Sequence, residues 1–176
     1  MLFRSNASGS VADIADFRDI IEWDGKRVKG VTIQVPEYEF QEIHYRKQPS
    51  RFQHADKLTL MRFTATVNSD VFREWKAGEV LFLGAYGKTV SKDWWELTYE
   101  FAVKLNRDGS DSLRPTLTIG GIANIEAKGW DHVWVKYKSE EQTTGGTKYV
   151  VQVPDMVVVS PVYLTNDFNS MFEWNP

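Results

Sequence analysis

From Trp95 to Leu105 a large apolar side chain falls at every second position. Trp95, Leu97, Tyr99, Phe101, Val103 and Leu105 fall on one face, and Trp94, Glu96, Thr98, Glu100, Ala102 and Lys104 on the other. A helix would repeat its apolar positions every three or four residues, so a period of two predicts a strand with one buried face. Val31, Ile33 and Val35 set against Thr32 and Gln34 predict another strand. Pro36 interrupts it, having no N–H to donate, and Tyr38 and Phe40 then alternate with Glu37, Glu39 and Gln41.

Further along the chain the pattern shortens. Leu58, Leu60 and Phe63 lead into β-branched Thr64–Val67, which predicts a longer strand after a loop over 48–56. Glu79–Gly84 reads as a short apolar strand, and Gly84 to Asp93 as a turn-rich connection. Leu117 and Ile119 open a strand that closes at Gly120-Gly121. In Lys128–Lys138, Val133, Val135 and Tyr137 oppose Trp130, His132 and Trp134, so both faces are partly apolar. Thr143-Thr144-Gly145-Gly146 predicts a hairpin turn, followed by strands at Tyr149–Val153 and Met156–Tyr163 with a kink at Pro154-Asp155.

Helical spacing is rare. Ile14, Phe17 and Ile21 behind Ser10 and Asp13 predict one short amphipathic helix ending at Asp24-Gly25. Asn68-Ser69-Asp70 with Val71, Phe72 and Trp75 predicts a single helical turn. The fold class is therefore mainly β: an antiparallel β-barrel or sandwich of about eight or nine strands with one or two short helices. No linker divides the chain, so one domain over 1–176 is expected. It would carry a flexible arm at 1–12 and an aromatic tail at 164–176 that holds Phe168, Met171, Phe172 and Trp174.

Composition narrows the function classes. A chain 42% hydrophobic and 26% charged has the balance of a globular protein. The absence of cysteine excludes disulfides, thiolate nucleophiles and cysteine-held zinc. A net charge of −3 with interspersed signs offers no basic field for a phosphate backbone, so no nucleic-acid partner is expected. The amino terminus lacks the apolar run of about 7–15 residues of a secretory signal, and no run approaches the roughly 20 residues of a membrane span. A protein made in the cytoplasm, away from membranes, is expected.

Candidate chemistry is sparse. His44, His54 and His132 are widely spaced and form no ligand pair, so no metal is expected. Glu37, Glu39 and Glu42 resemble an acid–base cluster, but Arg46 and Lys47 nearby suit a solvated face better. No glycine motif has phosphate-binding spacing, and no Gly-x-Ser-x-Gly elbow occurs. Hence no catalytic, cofactor-binding or metal residue is assigned, and the chain is not expected to be an enzyme. The least favoured class is a hydrolase with scattered catalytic residues.

Seven tryptophans are more than a core of this size ordinarily uses. The plain account has them packed under loops; two sharper ones are partner contacts and platforms for sugar rings. Trp94, Trp130, Trp134, Phe168, Phe172 and Trp174 are the candidate interface residues.

A larger set of residues resembles a known family. Gly30–Tyr45 (GVTIQVPEYEFQEIHY), Thr66-Val67-Asn68, Gly78–Ala85 (GEVLFLGA) and Trp95–Ala102 (WELTYEFA) come first. Lys128-Gly129-Trp130, Trp134–Tyr137 (WVKY), Val159–Tyr163 and Asp167-Phe168 follow in the same order. Together, over roughly 28–170, they resemble uncharacterised proteins encoded in phage-like gene clusters, some with an extra amino-terminal domain. The resemblance transfers no activity and no functional residue. It implies a virion protein assembled in the host cytoplasm: a ring-forming homo-oligomer of the tail, neck, baseplate or head–tail junction, in contact with other virion proteins. The alternative is a carbohydrate-binding β-sandwich with a glycan as ligand.

Overall fold

The computed structural model describes residues 37–47 and 54–172. The arm at 1–12, the helix at Ile14–Ile21, the strand at Val31–Val35, Trp23 and Trp174 lie outside those residues. Among the described residues the fold is mainly β, with nine strands in three sheets, one α-helix and one 3-10 helix. None of these sheets closes into a barrel. The chain divides into two compact units, each drawn from separated stretches of sequence.

The first unit takes the described residues up to Asn106, together with 128–130 and the chain from Tyr163 onward. Its sheet has the order β1-β4-β3-β2-β9. Here β1 is Glu37–Lys47, β2 Thr66–Asn68, β3 Val80–Ser91, β4 Trp94–Lys104 and β9 Leu164–Asn166. All neighbours are antiparallel except β2 and β9. The alternation in β4 buries Leu97, Tyr99, Phe101 and Val103 on one face. Val80, Phe82, Phe72, Leu60, Phe168 and Met171 complete that core. Each such side chain contributes about 1.5–3 kcal/mol through its removal from water.

Three expectations change in this unit. The stretch read as a loop and the start of a strand contains helix α1, His54–Phe63. Leu60 and Phe63, three apart, turn toward the core, while Leu58 and Met61 face solvent. The helix ends where Ala65 takes a left-handed φ of 61° and its N–H bonds to the Phe82 carbonyl (2.9 Å).

The helical turn expected at Val71–Trp75 is instead a tight reverse turn. Phe72 and Trp75 exchange backbone hydrogen bonds of 3.0 Å around Arg73 and Glu74, and Arg73 has a φ of 57°. Strand β3, read as ending at Gly84, runs on to Ser91. Gly84 sits at a bulge with φ 146°, and a Cβ on Gly87 would lie 2.6 Å from a methyl of Leu97. These glycines relieve a bulge and a close packing contact rather than end the strand.

The second unit comprises 107–127 and 131–162 among its described residues. It holds two hairpins: β5 (Leu117–Ile119) with β6 (Ile122–Ile125), and β7 (His132–Thr144) with β8 (Thr147–Ser160). Both turn on glycine pairs with positive φ, Gly120-Gly121 and Gly145-Gly146, as two-residue hairpins require. Val133 and Val135 of β7 are buried. The two last strands expected on either side of Pro154-Asp155 are one continuous strand. Lys136 pairs with Met156 and Tyr137 with Pro154, which leaves Asp155 as the extra residue of a bulge. A bulge is where a strand tolerates a proline that cannot donate.

Candidate functional site

Four side-chain groups stand out, three in the first unit. The deepest is built on Glu79, which is fully buried. Its Oε2 accepts the Lys76 amide and its Oε1 the Asn106 amide, both at 3.0 Å. Its backbone carbonyl accepts Lys104 N (2.9 Å) and Trp130 Nε1 (2.8 Å). Asn106 donates to the Ala77 carbonyl and accepts from Gly129 N, each at 3.0 Å. Asn68 does the same for the turn beside it, accepting from Val80 N (2.8 Å) and donating to the Asp70 and Lys76 carbonyls.

In this network buried polar groups of irregular backbone are satisfied by three side chains, which secures loops rather than presenting a reactive carboxylate. Trp130 belongs to it, lying under Lys104 Nζ (4.2 Å to the ring centre) and edge-on to Tyr163. A Cβ on Gly129 would overlap the Lys104 carbonyl, so only glycine lets Trp130 reach this position.

The second group is a salt-bridged clamp. Strand β1 turns Phe40, Glu42 and His44 toward the core side, where Glu42 takes Arg73 Nε and Nη2 on its two oxygens at 2.6 Å each. His44 Nε2 lies 3.0 Å from the same carboxylate, and its ring stacks on Phe172 (4.8 Å, 18°). The Arg73 guanidinium lies over Phe72 and Phe172. Partial burial pushes the Glu42 carboxyl up, but the hydrogen bonds and charges of Arg73 and His44 outweigh it and hold it below the usual glutamate range. The hydrogen bond to Glu42 raises Arg73 in turn. A carboxylate so held binds its arginine and is a poor proton donor.

The third group is an open sheet face. The register places Tyr45 beside Glu96 and Lys88, Ile43 beside Thr98 and Tyr86, and Lys47 beside Trp94, all on one side. Ile43, Tyr45 and Tyr86 are 55%, 59% and 55% exposed and Trp94 43%. Glu96 accepts Tyr45 Oη (3.1 Å) and pairs with Lys88 Nζ (2.7 Å). Lys88 holds the Glu96 carboxyl low, and Glu96 raises Tyr45. Gln41 donates to Glu100 at 2.9 Å.

The fourth group is the distal half of the β7–β8 hairpin in the second unit. From Lys138 to Val150 every residue is exposed, Val150 at 62%. Thr144, Tyr149 and Gln142 hydrogen-bond across one face, and Gln152 donates to Ser139 on the other.

The six candidate interface residues scatter. Trp94 is exposed. Trp130 is half-buried in the Glu79 network, and Trp134 is half-buried beside His132 (5.5 Å). Phe172 lies half-buried under the clamp, and Trp174 is outside the described residues. Phe168 is a correction: at 1% exposure it packs on Phe72, Phe82 and Phe101 and cannot meet a partner. The glutamates also separate, because Glu42 lies on the opposite face from Glu37 and Glu39, and Glu37 pairs with Lys104 (3.5 Å).

Sequence reading missed the clamp, the open face and the ribbon. Counting by twos from Phe40 would have put Glu42 and His44 together on the inner face; nothing in the sequence points to Arg73 as their partner. Among the described residues no group of three His, Asp or Glu could hold a metal, and no described helix is long and apolar enough to cross a membrane. Comparison with known proteins returns no match to a family model, a curated protein or a solved structure.

Proposed function

We propose that the chain is a structural component of a phage or phage-like particle, a ring-forming tail or head–tail junction protein that works by protein–protein contact. Its phage context rests on the resemblance over roughly 28–170. The observation that carries the assembly reading is the exposed distal β7–β8 ribbon, a two-stranded piece of sheet with little of its surface covered. Ribbons of two strands are marginal alone in water and gain stability when further strands or a packed layer join them. Closure into a barrel or sandwich belongs to the same reading, with neighbouring copies and other virion proteins as partners. In this reading the chain is not an enzyme.

The test is the protein content of purified particles. Mass spectrometry should find this chain at a stoichiometry matching a ring, and particles that lack it overturn the proposal. The second reading, a carbohydrate-binding module, is favoured by one observation: Tyr45, Tyr86 and Trp94 share a sheet face with Glu96 and Lys88. Aromatic faces beside hydrogen-bonding side chains suit sugar rings. A tryptophan fluorescence titration over a broad glycan panel with no response removes it.

A further inference from the structure

The Glu42 clamp stands where two separated pieces of the first unit dock on each other. The turn at 71–75 gives the Val71 carbonyl to Asn169 Nδ2 (3.1 Å), and its Phe72 ring meets both Phe168 (5.5 Å, edge-on) and Phe172 (6.0 Å, stacked). Arg73 lies over the Phe172 ring, 5.2 Å from its centre, and β1 adds His44. The 3-10 helix Phe168–Phe172 is thus held by the turn as well as by its own buried side chains. That turn is strained. Arg73 has a φ of 57°, a left-handed conformation that persists in a residue with a side chain only where its surroundings impose it. Both oxygens of Glu42 hold its guanidinium at 2.6 Å, a bidentate, charge-assisted pair.

We infer that Glu42 is the latch of the carboxy-terminal segment: its charge holds the strained turn closed on the 3-10 helix, and its neutralisation in acid lets turn and helix open together while β4 stays folded. The latch works within a single chain and needs no assembly. The charged groups that act on Glu42 are Arg73 and His44. Both reach the same oxygen, Arg73 Nη2 at 2.6 Å and His44 Nε2 at 3.0 Å from Oε2. Strand β4 faces them with Tyr99, edge-on to His44 (5.2 Å), and the 3-10 helix brings no charged residue. Once Glu42 is neutral, Arg73 and a protonated His44 are like charges around one uncharged carboxyl. Acid therefore removes an attraction and adds a repulsion at the same place. Because the carboxyl is held below its ordinary 4.5, the grip is present above that value and lost as pH falls through the lowered one.

The test is hydrogen exchange on the full chain, wild type against Glu42→Gln, from neutral pH to below the ordinary glutamate value. Protection factors divide out the intrinsic pH dependence of exchange. At neutral pH the amides of 72–75 and 169–172 should be about fivefold less protected in the variant, the size expected of a half-exposed ion pair. The two proteins should converge as pH falls through the lowered Glu42 value. Amides of β4 should be better protected than either segment in both proteins, which marks the opening as local. A second variant, Arg73→Lys, keeps the charge but cannot bridge both oxygens, and should loosen the same two segments. Equal protection of wild type and Glu42→Gln at neutral pH, a difference that persists in acid, or segments that exchange only together with β4 overturn the inference. So does an Arg73→Lys protein protected like wild type.

Discussion

Strands β4 and β8 are both long and antiparallel to their neighbours, yet they live in opposite surroundings. One face of β4 is buried under aromatic side chains from α1, from β3 and from the 3-10 helix Phe168–Phe172. From Thr147 to Val150 every residue of β8 is exposed, and among the described residues β8 pairs with β7 alone. Hydrogen-bonded pairing therefore does not distinguish a core strand from an arm, and the covering layer does. Cooperative stability should concentrate around β4, and opening should be easiest at the Gly145-Gly146 tip.

The largest expected effect tests that contrast directly. Phe101→Ala removes a fully buried ring packed on Phe72, Phe82 and Phe168. It should destabilise by about 3–5 kcal/mol in a denaturant titration. Val150→Thr in the ribbon should change the same measurement by no more than about 0.5 kcal/mol. Equal effects would mean that the ribbon is part of the core.

A smaller effect sharpens the picture at the loops. Asn106→Ala leaves the Ala77 carbonyl and the Gly129 amide without their side-chain partner. About 1–3 kcal/mol of destabilisation should follow. Because Gly129 and Trp130 hang on this residue, the loss should come with a change in tryptophan fluorescence. A stability loss with unchanged emission would detach Trp130 from the network.

The clamp gives a still smaller and pH-dependent effect. Glu42 has a folded value lowered from its ordinary 4.5, so the stability it contributes is present above that value and lost as pH falls through the lowered one. Arg73 is about half exposed, which limits the pair to roughly 1 kcal/mol. Glu42→Gln should thus be less stable than wild type at neutral pH by up to about that amount, and the gap should shrink below pH 4.5. A gap that persists undiminished into acid would assign the effect to packing.

Legibility in the sequence followed the same divide. Strand β4 could be read because its partners all demand apolar residues on one face, which local alternation records. Helix α1 hid behind Pro49 and mixed charge, with only Leu60 and Phe63 marking its inner side. Gly84 and Gly87 read as turns because a bulge and a close contact with Leu97 ask for the same residue. Phe168 reads from sequence as a surface residue because its neighbours are polar, yet the 3-10 turn aims it and Met171 inward. The Glu42–Arg73 pair is 31 residues apart, and no local pattern encodes such a meeting. The ribbon's tip was legible as a turn, but exposure depends on what fails to cover it, which no single segment contains.

The least effect tests the join between helix and sheet. Ala65 holds φ 61° directly after α1, a left-handed conformation that costs an L-residue about 1–2 kcal/mol. The fold imposes it because the Ala65 amide must turn to reach the Phe82 carbonyl. Glycine adopts this conformation without strain but loses more freedom on folding, by about 0.4–1 kcal/mol. Relief exceeds that loss, so Ala65→Gly should stabilise the unit by a few tenths of a kcal/mol and up to about 1, seen as a higher denaturant midpoint at unchanged slope. A lower midpoint would mean that the Ala65 methyl makes packing contacts worth more than its strain.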